Sequence, residues 1–381
     1  MGIDSLAGSF NQENPQLHLQ NIPLDHEAFK QSILTTLKSG NPPELYTYWA
    51  GSRTKYILSY LEPLDDVWEK ENLDEAFSES LIQAASVYEG KKYLIPLTQH
   101  YVGFFYNRKV FLEAGITPPA TWKDFLTVCE ILKNKGITPL AIGAKDRWPA
   151  QFWFDYLILR TAGPDFREQL VSGKIGFHDP KVLEAFSLWK GLLDKGYINQ
   201  NAPDAAWDTQ AGKEVLEGSS GMTLMGTWLI GYYNSFVPET KNHVNYGFFS
   251  FPVIDPLIPK IALGPVDGVI LPRGALNIPG AKKVLGFLAG ETAQKIISHN
   301  SGALSPLKTL DPGLYSPLQN QIRNEIANTR GWAFNYDLAT PPQAAEIGLD
   351  LFVNFLKSPE NYTQLVNDAA GKMKNSFTSG Q

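Results

Sequence analysis

At 381 residues the chain is too long for one ordinary core, so two domains are the default. Hydrophobic content of 43% with 19% charged residues excludes a disordered chain, and a net charge of -6 removes the basic footprint of a nucleic-acid binder. The single cysteine, Cys129, leaves no internal disulfide, which fits the cytoplasm or a periplasmic protein whose core does without such staples.

Ile3, Leu6, Ala7 and Phe10 share one helical face and predict a helix over 3–13, followed by a strand at Leu17–Pro23. A helix over 26–39 ends at Gly40-Asn41-Pro42-Pro43, and a strand at Glu44–Ala50 follows. Helices near 52–60 and 73–85 precede an apolar, strand-like run from Leu94 to Phe105 that carries the polar Gln99-His100-Tyr101 in its middle. Beyond it lie a short helix, then helices near 121–135, 149–162, 180–194 and 203–217. Short strands at Leu140–Gly143, Gly221–Met225 and Tyr246–Phe251 are interspersed. Ala262–Pro272 reads as another strand, then come helices 279–290 and 291–300 and a helical tail of 313–328, 341–357 and 360–373. Such alternation is that of an α/β protein.

Enzyme signatures do not occur in this pattern. Gly212-Lys213 lies in a helical stretch with no glycine loop before it, no G-x-G-x-x-G follows a strand, and there is no G-x-S-x-G elbow. The histidines (His18, His26, His100, His178, His243, His299) are scattered without metal-ligand spacing, so neither a metal nor a cofactor is expected. Asp65-Asp66 and Glu69 flank Val67 and Trp68 in the manner of a solvated helix face, and Cys129 falls on the apolar side of a helix with Phe125 and Leu132. No apolar run approaches transmembrane length. What remains is a series of Trp, Tyr, Asp, Gln and His residues at strand ends and loops, where an α/β scaffold presents ligand groups. Burying Gln99 beside His100 in an apolar strand costs free energy unless something hydrogen-bonds them, so the chain is expected to pass a polar cavity there.

The segment with Tyr106-Asn107, Phe111, Gly115-Ile116, Pro119 and Thr121-Trp122 resembles the crossover of the extracellular solute-binding proteins of ABC sugar importers, the maltose, trehalose and glucosylglycerol type. Gly221-Met222, Gly226 and Trp228 resemble a second element of that family, Gly264–Gly274 a third, and Gly290-Glu291-Thr292-Ala293-Gln294 a fourth. The resemblance implies a two-lobed periplasmic-binding-protein clamshell with a three-segment hinge, crossed near 98–104, 262–267 and 306–312. The lobes would be 1–101 with 266–308, and 102–265 with 309–381. Members of the family carry an export signal and a strand before the first helix, whereas here Met1-Gly2 leads straight into it.

The resemblance also nominates ligand residues. Trp49, Ser52 and Arg53 would line the first-lobe wall, with Trp49 as a core anchor and Arg53 as a surface ion pair the alternatives. Strand alternation places His100 on the cleft face, with Gln99 or Tyr101 contributing from the edge; a buried network that only positions the hinge is the other reading. Trp148 and Trp228 are the expected second-lobe stackers, and Trp207 and Asp208 are weaker candidates. Gly264 and Gly268 would let a ligand lie against the backbone, and Asp267 would accept two sugar hydroxyls or satisfy hinge amides. Tyr336 and Asp337 lie where the family's loop closes over the ligand.

Aromatic rings suit the C–H faces of a sugar, and carboxylates and amides suit its hydroxyl edges. With one Arg and two Asp among the candidates, the expected ligand is a neutral mono- or disaccharide-like glycoside. The expected partners are that carbohydrate and ABC permease subunits in the membrane, with no nucleic acid. The protein itself is expected to be a monomer, periplasmic or extracytoplasmic, and lipid-anchored in a longer precursor if anchored at all. No catalytic residue is expected. A glycan hydrolase would need two carboxylates on one glycosidic bond, and Asp267 with Asp337 is the pair that could be nominated. A sensor subunit that presents its closed form to a receptor would read the same closure.

Overall fold

The computed structural model describes residues 2–236 and 245–377; His243 lies outside them. In chain order its main strands are β1 (Tyr46–Trp49), β2 (Ile95–Gln99), β3 (Val102–Asn107), β4 (Thr138–Leu140), β5 (Ser220–Gly226), β6 (Tyr246–Phe249) and β7 (Val266–Ile270). Eight helices matter for the site: α1 (Gly2–Glu13), α2 (His26–Lys38), α3 (Ser52–Tyr56), α4 (Arg108–Ala114), α5 (Trp122–Asn134), α6 (Gln151–Thr161), α7 (Trp228–Phe236) and α8 (Pro342–Lys357). The chain divides into two units, the first running to His100 and resuming over Pro265–Tyr315, the second taking Tyr101–Gly264 and the chain from Ser316 onward. Among the described residues, no helix is long and apolar enough to cross a membrane.

In the first unit β7 is the central strand, antiparallel to β1 on one side and β2 on the other. The register sets Trp49 opposite Asp267 and Asp267 opposite Thr98, with a bulge between Asp267 and Gly268. Bulges re-aim side chains, and this one falls on the candidate carboxylate. Gly268 is required by packing: a Cβ there would run into the Leu94 side chain and the Ile95 carbonyl oxygen. Close strand packing is thus a sufficient reason for glycine at 268, whatever approaches its backbone. Helix α1 buries Leu6, Ala7 and Phe10, and the Phe10 ring meets Phe287 edge-on at 5.2 Å.

The second unit has the strand order β4-β5-β3-β6, with β3 antiparallel to both its neighbours and β4 parallel to β5. The Tyr106–Trp122 signature turns out to be a run of helix terminators. The Asn107 side chain caps α4 by accepting from the Val110 N–H at 2.9 Å, and its Nδ2 donates to the Val215 carbonyl at 2.8 Å. Gly115 then ends α4 in the left-handed conformation at φ 67°, and Thr121 caps α5 by accepting from the Asp124 N–H. Trp122 stacks on Phe125 at 5.1 Å and on Phe251 at 5.9 Å. Cys129 is buried in α5, and burial pushes its thiol well above the ordinary range.

Several expectations change. Residues 17–23 form no strand, because no neighbouring strand accepts their ladder; Leu19 instead donates its N–H to the Asn11 side chain. The run from Leu94 to Phe105 breaks at His100-Tyr101, where the chain leaves one sheet and enters the other. Ala262–Pro272 breaks in the same way at Gly264-Pro265, since proline cannot donate to a ladder. Asp65, Asp66 and Glu69 are exposed, as expected of a solvated face, while Val67 and Trp68 between them are buried, Trp68 against Phe77. The third passage between units lies at Tyr315/Ser316 and not near 306–312. Ser305 belongs to the first unit, where its Oγ donates to Gln294 Oε1 at 2.9 Å and its N–H to Tyr315 Oη at 3.1 Å. Helices at Pro164–Val171 and at α7 were not anticipated.

Candidate functional site

In the first unit the candidate groups gather at the Trp49 end of β1. Thr98 Oγ1 donates to Asp267 Oδ2 at 2.9 Å, and His100 Nε2 lies 3.6 Å from the same oxygen. Asp267 Oδ1 is buried and has no hydrogen-bond partner among the described residues. Burial pushes the Asp267 carboxyl up to about 6, against the opposing pull of the Thr98 hydrogen bond. Burial also brings His100 down to about 3, so its imidazole is neutral at physiological pH. A neutral imidazole and a carboxylate with a spare oxygen can together accept from and donate to hydroxyl groups.

Trp49 is half-buried and braced on several sides. His26 meets it edge-on at 5.0 Å, Tyr48 and Phe29 lie at 5.3 and 5.9 Å, and Lys30 Nζ and Arg53 Cζ sit 5.6 and 5.9 Å from its ring centroid. Burial would raise the Glu27 carboxyl, but hydrogen bonding from His26 and the Lys30 charge hold it down at about 2. The loop after Trp49 is fixed by hydrogen bonds between side chains and backbone: Gly51 (φ 96°) donates its N–H to Tyr88 Oη at 2.8 Å, and Thr54 Oγ1 donates to the Trp49 carbonyl at 2.7 Å. That turn opens α3 with Ser52 and the buried Arg53. Gln99 ends β2, exchanging two backbone hydrogen bonds with Leu304.

The second unit gathers rings. Trp148, Trp207, Trp228 and Tyr232 are all half-exposed. Trp148 lies 5.7 Å from both Trp207 and Trp228, Phe152 lies 5.8 Å from Trp148, and Tyr232 lies 5.8 Å from Trp207. One residue separates Trp228 from the end of β5, and Gly226 leaves room for its ring, which a Cβ at that position would strike. Large rings left half-open side by side form an apolar surface that a folded core would otherwise have covered.

Other nominated residues are elsewhere. Tyr101 is fully buried in the second unit, with its Oη donating to Ser250 Oγ at 2.9 Å and its ring 5.5 Å from Phe248. Gly264 has both backbone groups engaged: its N–H donates to Ala333 O at 3.0 Å and its carbonyl accepts from Trp332 Nε1 at 2.9 Å. Tyr336, expected over the ligand, is a core residue with no exposed surface, wedged among Phe154, Phe177 and Phe352. Asp337 is buried beside it and donates its N–H to Gln151 Oε1 at 2.8 Å. Thr98 was missed, although strand alternation puts it on the same side as His100 two residues on. His26, Tyr232 and Trp332 were also missed, and nothing local in the sequence marks them.

The family profile of the bacterial extracellular solute-binding proteins matches residues 2–295. The chain belongs to this family. An ABC transporter extracellular-binding protein of Pyrococcus horikoshii is 30% identical to this solute-binding protein over 343 residues, 86% of this chain and 73% of that one. The solved structure of the bacterial solute receptor AcbH, which has an exclusive preference for β-D-galactopyranose, is 27% identical. It superposes with a TM-score of 0.91, covering 99% of this chain and 95% of that one. A chitin oligosaccharide binding protein at 23% identity shares the fold, with a TM-score of 0.86 over 99% of this chain and 94% of its own. The expected fold class, α/β in two lobes, is the fold the protein has. It is the binding component of an ABC transporter, working outside the cytoplasm with a membrane permease, in a family of binding proteins and not of enzymes.

Proposed function

We propose that this solute-binding protein captures a neutral mono- or disaccharide-like sugar or glycoside and delivers it, as a monomer and without chemical change, to its permease. The observation that carries this reading is the group of half-exposed tryptophans Trp148, Trp207 and Trp228. Rings of that kind take the C–H faces of a sugar. In the first unit Trp49 offers another ring for a C–H face, and Ser52, Arg53, Thr98, His100 and Asp267, with Gln99 from the edge, offer groups suited to sugar hydroxyls. The preference of AcbH for a neutral pyranose supports the substrate class.

Thermal unfolding with galactose, maltose, raffinose and chitobiose, set against a panel of amino acids, tests the proposal. A sugar present at about a hundred times its Kd stabilises by roughly 2.7 kcal/mol. One or more sugars should raise Tm and be recovered uncleaved. A shift with amino acids alone, or recovery of cleaved sugar, would reject the reading.

A further inference from the structure

The chain from Asp146 to Trp148 makes a turn that few residues tolerate. Arg147 has φ 64° and ψ -47°, and the Trp148 N–H donates to the Asp146 carbonyl at 2.7 Å across it. A three-residue turn with positive φ at its centre is rare and strained, and a long side chain there is more unusual still. Backbone strain of this kind persists only where the surroundings over-determine it. Here the side chain of Arg147 takes part in that. Arg147 Nη1 donates to Asp350 Oδ1 at 2.8 Å and Nη2 donates to Glu346 Oε2 at 2.7 Å. Both carboxylates lie on α8, four residues apart and so on one face. The Arg147 N–H also donates to the Ala144 carbonyl at 2.9 Å. The residue that emerges from the turn is Trp148, at the head of α6, with its ring against Trp207, Trp228 and Phe152.

We propose that Arg147 is a positioning residue for sugar binding: its paired bonds to Glu346 and Asp350 hold a strained turn that aims the Trp148 ring at the ligand. The inference rests on the proposed sugar site, but it concerns a residue that need not touch the sugar. It gives an order that simple loss of a surface ion pair does not. Alanine at 147 removes the clamp and keeps the strain, so the turn relaxes and the ring moves. Glycine removes the clamp and the strain together, so the turn survives in part. Affinity should therefore fall in the order wild type, R147G, R147A, with R147A weaker by about tenfold. The double variant E346Q/D350N should behave like R147A. Because the sugar is neutral and the ion pairs are partly exposed, wild-type affinity should also weaken with added salt, and R147A affinity should not.

The experiment titrates galactose, maltose and raffinose separately into wild type, R147A, R147G, E346Q/D350N and W148A. Near-UV circular dichroism reports the tryptophan geometry, and far-UV spectra confirm folding. Altered tryptophan bands in R147A, partly restored in R147G, together with the predicted affinity order, support the proposal. Tryptophan bands in R147A identical to those of wild type overturn it, whatever happens to binding. Altered bands combined with undiminished binding by W148A overturn the sugar-site reading on which it depends.

Discussion

Replacing Asp267 by Asn should make the empty protein more stable and the sugar-binding protein worse at its task. The carboxyl stands at about 6 against an ordinary 3.8, and burial is the cause. Each unit of such a shift corresponds to about 1.36 kcal/mol, so the ionised group carries a penalty of at most roughly 3 kcal/mol at neutral pH. The side chain is 31% exposed, and solvent screening brings that to about 1–2 kcal/mol. The sign follows from linkage. A carboxyl whose folded pKa is raised contributes full stability below its unfolded pKa and loses it as pH rises through the folded value. The gap between D267N and wild type should therefore be near zero below about pH 4, open between about pH 4 and 6, and stay constant above. Asparagine still accepts the Thr98 hydrogen bond, so little else is lost. For a unit of this size the gain amounts to about 2–8 °C in Tm. Binding should move the other way, because hydrogen bonds from hydroxyls to a charged acceptor contribute about 1.5–3 kcal/mol, roughly 10- to 150-fold in affinity. Scanning fluorimetry from about pH 4 to about pH 8, with and without the best-bound sugar, measures both effects. A D267N protein that melts below wild type at neutral pH, or that keeps the full sugar-induced shift, would refute the reasoning.

Two glycines separate packing from binding. G226A drives a methyl into the Trp228 ring and should abolish sugar binding with modest loss of Tm, whereas G268A forces β7 off Leu94 and Ile95 and should lower Tm first; calorimetric titration and melting curves on both variants distinguish the two. Y336A empties a site among Phe154, Phe177 and Phe352 and should cost about 3–5 kcal/mol, while the folded fraction keeps its sugar affinity in equilibrium binding. R167L strands the buried Asp155, which pairs with Arg167 at 2.6 Å, and should cost about 3–5 kcal/mol at neutral pH. Burial already holds Asp155 up at about 6 despite Arg167, and losing Arg167 raises it further, so the R167L deficit in urea unfolding should shrink as pH falls towards 6 and change no more below it.

What could be read from the sequence was local. The signature from Tyr106 to Trp122 was legible because three of its fixed residues cap or end a helix within a few positions: Asn107 and Thr121 as caps, Gly115 as a left-handed stop. Trp228 was legible for the same kind of reason, since Gly226 two residues earlier exists to admit its ring. Long-range matters were not legible. Trp332 joins its neighbourhood by donating to Gly264 68 residues away, and no pattern near either residue announces the pair. Tyr336 and Asp337 misled because an aromatic beside an acid in a loop looks alike whether it faces a ligand or closes a core. The difference lies in Phe154, Phe177 and Gln151, all far off in sequence.

Thr98 shows the opposite failure, in which the rule was at hand and was applied to the wrong neighbour. Alternation excludes Gln99 and Tyr101 from the face of His100 and admits Thr98, whose hydroxyl binds the same Asp267 oxygen that His100 approaches. Thr98 and His100 satisfy only one oxygen of the carboxylate, and Oδ1 is left buried without a partner among the described residues. A fold under selection for stability alone would place an apolar side chain or an amide there. A half-satisfied acceptor is tolerated where a ligand hydroxyl completes it, because the desolvation penalty is then already present in the free protein and need not be met again on binding. On the proposed reading, a ligand lacking that hydroxyl would leave the oxygen unpaired, so the same residue that weakens the empty protein would select among sugars.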